Sequence, residues 1–208
     1  MKIWKLTSLI ILMLICGCTD NSIEESATLA GVWLAPIETG GFQGYQFDPD
    51  GRVHFLNMLS ISGDRWERTG EKGLNISSHT DHYPKPATGE MLIKELKAES
   101  LVLVPVENPK ASGSSYQRFV PQSPADTMVG RWSNSTGTFF DITPAGQGYR
   151  VVFKWPEGVQ TLNGESTDQG MTASRDGKTL LLTLAPGPGS TGYCLHIDGL
   201  IFSCRSGI

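Results

Sequence analysis

The chain has almost no helical pattern. Apolar residues do not recur every three or four positions over long stretches, which argues against a helical bundle or an α/β layer. Cysteine is scarce, with four in 208 residues. There is no Gly-x-Ser-x-Gly elbow and no His-Glu-x-x-His pair, so two common hydrolase signatures are missing. Glycine-rich stretches at Gly146-Gln147-Gly148 and from Pro186 to Gly192 do not lie between a strand and a helix, so they read as loops and not as phosphate cradles. Basic residues number 17 against 21 acidic ones, for a net charge of −4. That balance argues against nucleic acid or an anionic lipid surface as the main partner. The apolar run Leu6–Ile15 is shorter than the ~20 residues a membrane-spanning helix needs.

What is present begins with an address. Lys2 and Lys5 precede the apolar run, and Ile15-Cys16-Gly17-Cys18 follows it. A basic start, a short apolar core and a small residue before a cysteine form an export signal. The Gly17-Cys18 junction resembles the lipobox of bacterial lipoproteins. That resemblance implies removal of residues 1–17 and acylation of Cys18. It therefore implies a membrane partner reached through a lipid anchor. Thr19, standing where an Asp would signal retention, points by the same family rule to the outer membrane, facing the periplasm. Residues 18–28 are polar and short and read as the lipidated tether.

The remainder reads as all-β. Glycine is abundant, at 24 residues, and turn signals recur about every eight to twelve positions. Short alternating runs include Phe42–Phe47, Arg52–Asn57 and Leu101–Val104. Asp48-Pro49-Asp50-Gly51, Asp176-Gly177 and Asp198-Gly199 supply hairpin turns, with glycine taking positive φ. Glu90–Leu96 alone admits a helix, although Met91-Leu92-Ile93 fits a strand as well. Gly31-Val32-Trp33 is echoed by Gly130-Arg131-Trp132, each opening a series of about eight short strands. The turn-rich Val120–Asp126 between them reads as a linker. Two β modules are therefore expected, at 29–120 and 127–208, each large enough to bury its own core.

The first module resembles the lipocalin-like domain of bacterial lipoproteins. The matching residues are Gly31-x-Trp33-x-x-Pro36-Ile37, Gly44-Tyr45-x-Phe47, Asp50-Gly51 and Asn57-Met58. Trp66-x-x-x-Gly70-x-x-x-Leu74-x-Ile76, Glu95-Leu96 and Leu101-Val102-Leu103 continue the match. It implies a small antiparallel β-barrel or half-barrel and, with the Gly-x-Trp echo, two lipocalin-like modules in tandem; it supplies a fold more than a function, because members have no established common ligand. The pattern breaks at Ser77–Thr88. The second module shares only Gly130-x-Trp132 with the wider group. In such barrels the first-strand tryptophan packs across the closed end, which makes Trp33 and Trp132 structural.

Cys194 and Cys204 remain once Cys16 and Cys18 are accounted for, and in an oxidising compartment a disulfide between them is expected. A two-residue turn at Asp198-Gly199 pairs Ile197 with Leu200 and Leu195 with Phe202. That register puts Cys194 opposite Ser203, so a direct bridge needs a bulge. Two free buried thiols are the alternative.

Candidate chemistry is thin. His79, Asp81 and His82 form the one cluster with metal-ligand character, in a stretch that reads as a solvated loop. Asp64, Glu67 and Asp141 read as surface carboxylates. Among the aromatics, Phe42, Tyr45 and Trp155 are the candidates for binding, with packing as the competing role. The expectation is a non-catalytic, lipid-anchored binding or interaction module without a cofactor. Its partner would be an envelope protein or a small apolar ligand. The alternatives are an anchored inhibitor or immunity protein, or a carrier of a small apolar ligand.

Overall fold

The computed structural model describes Ile23 and residues 27–38, 40–80, 82–187 and 192–205. The first half folds into eight strands: β1 (Gly31–Pro36), β2 (Phe42–Phe47), β3 (Val53–Leu56), β4 (Ile61–Thr69), β5 (Gly73–Thr80), β6 (Ala87–Leu96), β7 (Ser100–Pro105) and β8 (Ser114–Arg118). The second half folds into β9 (Gly130–Ser133), β10 (Phe139–Ala145), β11 (Gly148–Trp155), β12 (Gly158–Thr167), β13 (Gly170–Arg175), β14 (Lys178–Pro186), β15 (Tyr193–Ile197) and β16 (Leu200–Arg205). Glu90–Leu96 is strand, not helix.

Each half is an antiparallel eight-stranded sheet curled into a nearly closed barrel, but the seams differ. In the first, the order is β3-β2-β1-β8-β7-β6-β5-β4. The first and last strands pair directly, and the gap lies between β3 and β4. There the Trp66 N–H donates to the Gly51 carbonyl at 2.8 Å. The second is a plain meander from β9 to β16, open between its first and last strands. The Ser203 hydroxyl crosses that gap to the Ser133 carbonyl at 2.5 Å.

Local sequence explains the ladders. Asp176-Gly177 and Asp198-Gly199 take positive φ at both positions (52° and 77°, 49° and 81°), which makes tight two-residue hairpins matched to strand twist. In β5, Leu74 and Ile76 point inward while Asn75 and Ser77 do not. The first barrel is filled by Trp33, Phe47, Phe55, Leu74, Ile93 and Leu101 with their neighbours. The second is filled around Trp132, Phe140, Ile142, Val151, Met171 and Leu182. Both interiors are occupied by side chains, as eight-stranded barrels of this size allow.

The barrels do not hang on a free linker. Ala125, Met128 and Val129, from the connecting segment, are buried. They join Val32, Leu34 and Leu56 of the first barrel and the second core in one continuous cluster. A single 3-10 turn, Asp126–Met128, makes the corner. Among the described residues, no helix is long and apolar enough to cross a membrane.

Candidate functional site

The two halves repeat a three-part cap. Gly31 and Gly130 have φ of +133° and +117°, a region that favours glycine. A side chain there would also displace the polar ends of neighbouring side chains. A Cβ at Gly31 would lie 2.5 Å from Nη1 of Arg118, and one at Gly130 would lie 2.3 Å from Oε1 of Gln46. Two residues on, Trp33 and Trp132 are buried, and each indole N–H donates to the carbonyl four residues back: Trp33 to Leu29 and Trp132 to Met128, both at 2.7 Å. An arginine from the last strand of each barrel then covers the ring. Arg118 lies 4.2 Å from the Trp33 ring centre and Arg205 lies 3.7 Å from that of Trp132.

The caps differ in how the guanidinium is satisfied. Arg118 donates to the carbonyls of Ala98, Ala30 and Thr28. Arg205 donates to the Arg131 carbonyl. Its Nε and Nη1 are shielded from solvent and have no hydrogen-bond partner among the described residues. Burial pulls the Arg205 guanidinium down to about 9, offset only in part by the charges of Asp48 and Asp141.

Between the two caps lies a cleft of about 780 Å³, within the usual range for a small-molecule site. Arg118 and Gly31 bound it on one side, and Trp132, Leu184, Tyr193 and Arg205 on the other. The connecting segment forms a third wall through Phe119, Pro121, Pro124 and Val129. Its walls are mainly apolar. Asp126 is on the same wall and is held by the Tyr149 hydroxyl at 2.7 Å and the Gln122 N–H at 2.9 Å. Burial pushes the Asp126 carboxyl up, but those bonds and the ones from Ser123 outweigh it and leave it below the ordinary range.

Beside the cleft, a buried polar network joins the barrels. Arg131 and Asp141 are cross-strand partners on β9 and β10 and form a two-pronged ion pair at 2.6 and 2.7 Å. Arg131 also donates to the Phe55 carbonyl at 2.8 Å, and the Asn57 N–H donates to Asp141 at 3.2 Å. Gln46 accepts from the Arg131 N–H at 2.9 Å and donates to Asp48 at 2.7 Å. Asp48 also meets His54 at 3.0 Å. Burial would raise the Asp48 carboxyl; the bonds from His54 and Gln46, with the charges of His54 and Arg205, hold it below its ordinary value.

The candidates from the sequence fall elsewhere. Tyr45 sits half-buried inside the first barrel, 5.1 Å from Phe55 and 5.2 Å from Tyr116, ring to ring. Burial and the neighbouring Tyr116 raise its phenol. Phe42 is partly buried against the second core. Trp155 is half-buried with its ring 5.0 Å from Phe153, which itself stacks on Phe140. None of the three lines the cleft. His79 lies within β5 instead of a loop, and its Nδ1 is 2.9 Å from Asp64. His82 is exposed, and Asp81 lies outside the described residues. Among the described residues no group of three potential metal ligands converges. Cys18 also lies outside the described residues. Asp141 corrects an expectation: it is 1% exposed and ion-paired, not a surface carboxylate.

Cys194 and Cys204 form a disulfide. The register resolves the conflict left by the sequence. Ile197 does pair with Leu200, but a shift between Leu195 and His196 puts Leu195 opposite Ser203 and Cys194 opposite Cys204. Phe202 is the extra residue of the bulge. The bond fixes the strand end that carries Arg205.

Arg118, Arg205 and the Arg131–Asp141 pair were not foreseen. A signal existed: each Gly-x-Trp start is matched by an arginine closing the last strand of its module. Strand ends carry no periodic pattern of their own, and the pairing of Arg131 with Asp141 depends on a register that the β9–β10 loop sets.

A lipocalin-like protein from Bacteroides thetaiotaomicron has a solved structure that is 24% identical, covering 44% of this chain and 97% of that one, with a TM-score of 0.37. No family model and no curated protein matches the chain.

Proposed function

We propose that this chain is an exported, lipid-anchored and non-catalytic binding protein whose ligand site is the cleft between its barrels. One observation carries the reading: both barrel interiors are filled, while an apolar-walled cleft of about 780 Å³ is left where the capped ends meet. Small-molecule sites are typically concave, mainly apolar and furnished with a few polar groups, and they favour domain junctions. The anchor is supported by Lys2, Lys5, the apolar run and Cys18. The ligand class this favours is small and apolar. The filled interiors weigh against the carrier reading in its usual form, with cargo inside a barrel.

Two measurements test this. Mass spectrometry of the membrane-fraction protein should find an acylated Cys18 at its amino terminus. An unmodified residue there would remove the anchor. Titration with a small apolar probe, octan-1-ol, should give saturable binding that Thr127→Trp abolishes. Thr127 is exposed on the cleft wall, so the larger ring obstructs the cleft without entering a core. Binding that ignores this substitution would move the site elsewhere.

A further inference from the structure

We propose that the cleft selects a small amphipathic carboxylate, with its apolar body against Trp132 and Leu184 and its carboxylate on Arg205. This rests on the cleft being the ligand site.

The observation behind it is the contrast between two arginines in equivalent places. Arg118 and Arg205 each end the last strand of a barrel and each cover the first-strand tryptophan. Each of the three Arg118 guanidinium nitrogens donates to a carbonyl. Arg205 retains two buried donors without an acceptor among the described residues. A guanidinium left in that state is costly, because a buried donor forfeits its water and gains nothing in return. The nearby carboxylates do not repair it. Asp141 is committed to Arg131, and Asp48 to His54 and Gln46. An incoming carboxylate oxygen would give one of these donors a charged acceptor in a single charge-assisted hydrogen bond; Nη2 is already taken by the Arg131 carbonyl.

The walls define the rest of the ligand. Val129, Trp132, Leu184 and Phe119 offer an apolar lining to a short chain or ring. Asp126 on the same wall disfavours a doubly charged head, so a carboxylate fits better than a phosphate monoester. Arg205 lines the cleft and is positioned there by its hydrogen bond to Arg131 and by stacking on Trp132.

The test is calorimetric titration of the full chain with octanoate and with octan-1-ol, which share the apolar body. Octanoate should bind at least about tenfold more tightly, the gain expected of one charge-assisted pair. Arg205→Gln should erase that advantage, so that octanoate binds this variant no more tightly than the alcohol binds it. Arg205→Lys, which keeps the charge and the cover over Trp132, should retain only part of it. Thr127→Trp should abolish both. Equal binding of the two probes would overturn the carboxylate inference while leaving the cleft as an apolar site. So would an octanoate preference that survives both Arg205 variants. Failure of both probes to bind, or binding indifferent to Thr127→Trp, would overturn the cleft itself.

Discussion

The Arg118 guanidinium lies over the Trp33 indole at 4.2 Å and ties together two backbone segments through the carbonyls of Thr28 and Ala30 and that of Ala98. It closes one end of the first barrel by joining the segment before β1 to the turn before β7. Arg118→Met keeps the apolar stem but loses the donors. It should cost about 1–3 kcal/mol, since net hydrogen bonds to a charged group contribute about 1.5–3 kcal/mol and this one is partly exposed. Urea denaturation followed by tryptophan fluorescence reads the loss. An unchanged midpoint would mean that the cap is decoration.

The buried Arg131–Asp141 pair should behave asymmetrically. Asp141→Ala leaves a buried positive charge and strips the Asn57 N–H of its acceptor, so a loss of about 3–5 kcal/mol is expected. Arg131→Met with Asp141→Leu removes both charges and should cost less than Asp141→Ala alone. Equilibrium unfolding of the single and double variants compares the two. A double variant as unstable as the single one would mean that the pair's contacts to the first barrel, and not its charge balance, set the cost.

Asp48 makes part of the stability depend on acid. Its carboxyl is held below the ordinary 3.8, so its contribution is fully present above that value and is lost as pH falls through the lower folded value. Asp48→Asn should destabilise the protein at neutral pH, and the gap to the parent should shrink through the acid range. Stability measured across about pH 7 to pH 2 tests the sign. A gap that stays constant through that range would assign Asp48 a role independent of its charge.

The strand content, the tandem halves and the turns were legible because they are local. Glycine and aspartate at Asp176-Gly177 and Asp198-Gly199 are read within a few residues, and the Gly-x-Trp echo needs no partner to be seen. The disulfide was legible as a pairing but not as a geometry, because a single bulged residue, Phe202, decides which side chains face one another. The aromatics were the least legible. Phe42, Tyr45 and Trp155 alternate on strands whose two faces are both partly covered, one by a barrel interior and the other in places by the neighbouring barrel, so alternation alone does not say which face meets solvent.

By itself the sequence determined the class of element, the repeat and the candidate lipid-bearing cysteine, since each depends on backbone preference or on a short contiguous pattern. Only the tertiary structure decided that the barrels are filled, that Asp141 is buried against Arg131, and that Arg205 is short of partners where Arg118 is not. Those facts depend on residues far apart in the chain meeting across strand seams and across the junction of two barrels. Contact at that range is set by register and packing, which no local window of sequence contains.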